Sequence, residues 1–102
     1  MNKKDSSWND RRITKGSGNI FVDLGFDEAE AQVMAMRVDL MVHIERHLAT
    51  KGWTQSEAAK RLGISQPRVS KLMKGVWQEF RLDMLLTLAA RLGLRPKLKL
   101  AT

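Results

Sequence analysis

A chain of 102 residues, 43% of them hydrophobic, can bury one modest core but not a deep, multi-part active site as well. The absence of cysteine excludes disulfides, thiolate zinc sites and cysteine nucleophiles, and it fits a protein of the reducing cytoplasm. No run approaches the ~18 uninterrupted apolar residues of a membrane span, and the polar start, residues 1–10, lacks a signal peptide's apolar centre. The net charge of +7 favours phosphate-bearing partners. That charge is concentrated. Residues 51–75 hold six basic groups and one acidic, a net of +5, while residues 27–50 hold two and five, a net of −3. A merely solvated surface spreads its charges more evenly.

Residues 1–26 read as a flexible N-terminal segment. The first 19 are polar, contain the Gly16-Ser17-Gly18 hinge, and have only Trp8 and Ile13 to bury. Ile20, Phe21 and Val22 form a short β-prone run that is either a strand awaiting a partner or a docking peptide. A first helix is expected from Asp27, whose carboxylate with Glu28 and Glu30 suits the positive end of a helix dipole. Its stripe is Met34, Val38, Met41, Ile44 and Leu48, and Gly52 is its left-handed stop. One long helix or two consecutive ones both fit.

The second helix opens on a Thr54…Glu57 capping box, with Trp53 and Ala58 at the staple positions and Gly63 as its end. Ala58, Ala59 and Leu62 are its expected buried face. The third opens on Ser65, tolerates Pro67 in its first turn, buries Val69, Leu72 and Met73, and stops at Gly75. Val76 to Phe80 reads as a linker, with Trp77 and Phe80 anchoring it in the core. A fourth helix over Leu82 to Leu92 would turn Leu82, Leu85, Leu86, Ala89 and Leu92 inward, with Arg81 a poor capping residue and Gly93 the stop. The alternation in Pro96-Lys97-Leu98-Lys99-Leu100 is that of an edge strand guarded by lysines. One short strand is unstable alone, so it implies a partner strand.

Two short helices joined by Gly63-Ile64-Ser65 make a helix-turn-helix. With Val69 and Leu72 inward, Gln66, Pro67, Arg68, Lys71 and Lys74 are left outward, and no acidic residue lies between Lys60 and Lys74. The run Thr54 to Gly75 resembles the helix-turn-helix of Cro and lambda-repressor-type (XRE family) regulators. The resemblance rests on Thr54-Gln55, Glu57, Ala59, Gly63-Ile64-Ser65-Gln66 and Gly75. Gly18 to Gly25, ahead of a Glu/Ala-rich helix, is similar to the N-terminal signature of HigA-type antitoxins, and the likeness extends over about residues 18–100.

The resemblance implies an all-α, lambda-repressor-like domain of four or five helices over residues 27–102, here with a short C-terminal β-strand. It implies a homodimeric repressor of operator DNA, and a toxin protein as a further partner. A stand-alone or phage-derived repressor without a toxin is the alternative. By the same resemblance Gln55 contacts a phosphate and Gln66 reads a base, for which its amide suits adenine N6 and N7. Arg68 and Lys71, about a turn apart, could reach guanine or a flanking phosphate, and Pro67 offers an apolar contact to a thymine methyl. Arg61, Ser65, Ser70 and Lys74 are the expected backbone contacts. Ile20, Phe21 and Val22 are the candidate toxin-binding residues. Helix 4 and the Leu98–Leu100 strand are the candidate dimer interface.

Competing chemistry is weak. His43 and His47 share a helix face, but no third ligand lies nearby, so a surface or packing role is expected rather than a metal site. No nucleophile–base spacing or phosphate-binding glycine loop stands out, so neither an enzyme nor a cofactor is expected. Met34, Met36 and Met41 form a stripe read as core rather than as a soft docking face.

Overall fold

The computed structural model describes residues 19–101. Of the segment expected to be flexible, residues 1–18, with Trp8, Ile13 and the glycine hinge, lie outside them, and residues 19–26 hold a short helix and the turn that closes it. The chain forms two compact units that divide between Asp39 and Leu40. Five helices occur among the described residues: α1 (Ile20–Asp23), α2 (Glu28–Lys51), α3 (Gln55–Leu62), α4 (Gln66–Met73) and α5 (Leu82–Arg91). A 3₁₀ turn, Trp77–Glu79, stands before α5. Of the two readings of the first long helical segment, the continuous one holds, because nothing between Glu28 and Lys51 breaks the ladder.

In the first unit, the β-prone run Ile20–Val22 is a single helical turn, not a strand. Its hydrogen bonds close locally: Leu24 N donates to Ile20 O and Phe26 N to Phe21 O. Asn19 caps it, its Oδ1 accepting from Phe21 N at 2.8 Å while its Nδ2 donates to Ala31 O at 2.9 Å. Phe21 and Phe26 meet edge to face at 6.3 Å. These contacts override strand propensity, which needs a neighbouring ladder to be realised. Asp27 starts α2 as expected, its Oδ1 accepting from Ala29 N and Glu30 N at 2.7 and 3.1 Å. Ala31 and Ala35 are buried, whereas Met34 and Val38 are half-buried and Met36 is exposed. The methionine stripe is therefore not one core face, and only Met41, in the second unit, is a core residue.

The core of the second unit gathers Met41, Ile44 and Leu48 from α2, Ala58 and Leu62 from α3, Val69 and Leu72 from α4, then Phe80, then Leu85, Leu88, Ala89 and Leu92. Trp53, Ala59, Ile64 and Trp77 pack at its margin. Two expectations shift here. Leu88 is buried and Leu86 exposed, and Met73 is exposed rather than inward. Leu85, Leu88, Ala89 and Leu92 recur at i, i+3, i+4 and i+7, so the buried face of α5 is a regular helical stripe and Leu86 lies off it.

The Pro96–Leu100 segment has no strand pairing in the single chain, and Leu98 and Leu100 are 79% and 76% exposed. The expected C-terminal strand is not formed: a lone strand leaves its N–H and C=O groups unpaired, and no strand occurs among the described residues.

Candidate nucleic-acid interface

The turn between α3 and α4 is held by local chemistry. Thr54 and Glu57 close both halves of the capping box, Glu57 N to Thr54 Oγ1 at 3.1 Å and Thr54 N to Glu57 Oε1 at 3.2 Å. Gly63 ends α3 in the left-handed region, φ 72°, where glycine avoids the Cβ clash. Ser65 caps α4, its hydroxyl accepting from Arg68 N at 3.4 Å, and Pro67 sits in the first turn. Arg91 of α5 fastens the turn from outside, donating from Nη1 to Leu62 O at 2.6 Å. A helix C-terminal carbonyl thereby gains a cationic partner.

Val69 and Leu72 are fully buried, which fixes the rotation of α4 about its axis. Gln66, Pro67, Lys71 and Lys74 are exposed, and Arg68 and Ser70 half-buried. Gln55 and Gln66 are the first residues of α3 and α4, both exposed. The helix face left over is thus polar and basic, as the pattern required, and α4 carries no acidic residue in its first turn.

Three of the expected cationic contact residues already have partners in the chain. Arg61 stacks its guanidinium 4.8 Å above the Trp53 ring, which Lys51 also approaches at 5.5 Å. Arg68 lies 4.5 Å over the Phe80 ring and donates to Glu79 O at 3.4 Å. Lys71 Nζ forms an ion pair with Glu79 Oε1 at 2.6 Å. Glu79 escaped the sequence reading, because the stretch free of acids ends at Lys74 and the fold returns a carboxylate eight residues from Lys71. The one available signal was the Trp77/Phe80 spacing, which marks an anchored turn rather than a loose linker.

A family model of helix-turn-helix domains matches residues 20–100. The chain belongs to the helix-turn-helix domain family. No curated protein matches it. The helix-turn-helix itself is α3, the Gly63–Ser65 turn and α4, and membership points to DNA as the partner class. Among the described residues, no helix is long and apolar enough to cross a membrane, and no group of three or more His, Cys, Asp or Glu could hold a metal. His47 serves packing in the helix-turn-helix unit: its Nε2 lies 3.2 Å from Leu92 O, at the end of α5. Glu45, half-buried, has its carboxyl pushed above the usual range by desolvation.

Proposed function

We propose that this chain is a sequence-specific transcriptional repressor that seats α4 in the major groove of duplex DNA. The observation that carries the reading is the exposed basic face of α4, held at a fixed rotation by buried Val69 and Leu72 and at a fixed start by Ser65. An α-helix fits the major groove of B-form DNA, and its N-terminal residues meet the base edges. Gln66, Pro67, Arg68 and Lys71 are the base-reading group. Gln55, Arg61, Ser65, Ser70 and Lys74 grip phosphates and set the register.

One such unit reads only a few base pairs, so the repressor acts as a homodimer on half-sites one helical turn, roughly 34 Å, apart. The exposed, alternating Leu98 and Leu100 support pairing of residues 96–100 with the same segment of a second copy. The test is a gel shift of the full chain against its own upstream DNA. The double variant Gln66→Ala, Lys71→Ala abolishes specific binding while circular dichroism stays native. Undiminished operator affinity would overturn the assignment.

A second role, as the antitoxin of a toxin–antitoxin pair, draws support from the first unit. Ile20, Leu24 and Phe26 are 50%, 67% and 41% exposed, more apolar surface than so small a helical turn needs to leave in water. Phe21 and Val22 are half-buried, so Ile20 is the member of the Ile20–Val22 group best placed to meet a toxin. This role is compatible with repression.

A further inference from the structure

We infer that Glu79 is an internal competitor of DNA: an acceptor that occupies Lys71 until a DNA acceptor replaces it. The inference rests on the proposed seating of α4 on duplex DNA. Glu79 touches both long cations of the reading face. Its carboxylate takes Lys71 Nζ at 2.6 Å, and its carbonyl accepts from Arg68 Nη2 at 3.4 Å. Glu79 cannot drift away, because the 3₁₀ turn is anchored at both ends. Phe80 is fully buried, Trp77 packs on the core, and Phe80 N donates to Trp77 O at 3.0 Å. The Phe80 ring in turn lies beneath Arg68 at 4.5 Å, so a single turn orients both cations.

A carboxylate here competes for the atoms that would bind phosphate. Lys71 has three N–H donors and no acceptor, and a carboxylate oxygen and a phosphate oxygen satisfy it alike. Both side chains are 46% exposed, so the pair is solvated and weak, worth about a two- to fivefold bias in an equilibrium. That is enough to weaken duplex binding and too little to block it. The pair is given up in any complex in which Lys71 turns to the DNA, so Glu79 lowers duplex affinity by up to the strength of the pair.

The test uses the full chain and a short duplex of arbitrary sequence, with binding followed by fluorescence anisotropy over about 50 to 200 mM salt. The proteins are wild type, Glu79→Gln, Lys71→Gln and the double variant, each checked for an unchanged thermal midpoint. Glu79→Gln tightens binding about two- to fivefold and steepens the log–log salt slope by about 0.9, one further counterion released. In the Lys71→Gln background the same change leaves affinity and slope unaltered. An equal gain with and without Lys71 would mean plain repulsion of phosphate by Glu79, and no gain at all would mean no competition. Either result overturns the inference while the duplex reading stands. Wild type that fails to bind any duplex at the lowest salt overturns the reading and the inference with it.

Discussion

Gly52 and Gly63 allow a backbone cost to be separated from a contact cost. Both sit at nearly the same left-handed φ, 69° and 72°. A Cβ at Gly52 meets nothing within 4 Å, whereas one at Gly63 stands 2.8 Å from Arg91 Nη1. Alanine at either position bears the left-handed penalty, about 1–2 kcal/mol. At Gly63, Arg91 must also move, and its 2.6 Å bond to Leu62 O is lost or stretched, adding about 0.5–1.5 kcal/mol. Gly52→Ala is therefore expected to cost about 1–2 kcal/mol and Gly63→Ala about 1.5–3.5 kcal/mol. For a domain of this size each kcal/mol moves the thermal midpoint by roughly 4–8 °C, so the two variants differ visibly. Urea and thermal unfolding by circular dichroism measure both. In an Arg91→Ala background, Gly63→Ala should cost no more than Gly52→Ala. Equal losses at the two glycines in the wild-type background, or a Gly63→Ala loss indifferent to Arg91, would refute the assignment of Arg91 as the clamp on the turn.

Phe80 is fully buried between the 3₁₀ turn and α5, so Phe80→Ala should destabilise by about 3–5 kcal/mol in urea unfolding. A loss below about 1 kcal/mol would mean that the turn is not anchored by that ring. Glu45 supplies a pH dependence. Burial raises its folded-state value above the unfolded one, so its favourable contribution is complete below the ordinary carboxylate range and disappears as pH rises through the raised value. Glu45→Gln should therefore unfold at higher urea than wild type at about pH 7, and the gap should close towards about pH 4. A gap that widened on acidification would show that Glu45 is stabilised by a charge partner instead.

Much of the site was legible because its chemistry is local. A capping box links residues three apart, and Ser65 caps Arg68 across the same interval. Such contacts depend on a few dihedral angles and survive almost any tertiary context. Helical periodicity in the same way turned Val69 and Leu72 inward and left a basic face out. The strand reading of the Ile20–Val22 run fails because strand propensity is realised only against a neighbour, whereas Asn19 and Phe26 offer closure within the chain. The expectation that Leu86 faces inward fails: the i, i+3, i+4, i+7 spacing of Leu85, Leu88, Ala89 and Leu92 buries Leu88, and Leu86 stands nearly opposite Leu88 on the helix.

By itself the sequence determined where the helix-turn-helix begins and turns, and that the exposed face of α4 is basic, since caps, glycines and a 3.6-residue period act over four residues or fewer. Only the tertiary structure decided how that face is occupied. Glu79 reaches Lys71, Phe80 underlies Arg68, Trp53 takes Arg61, and Arg91 clamps a carbonyl 29 residues away. Those pairings depend on where the 3₁₀ turn and α5 pack against the core, and no short-range pattern carries that information.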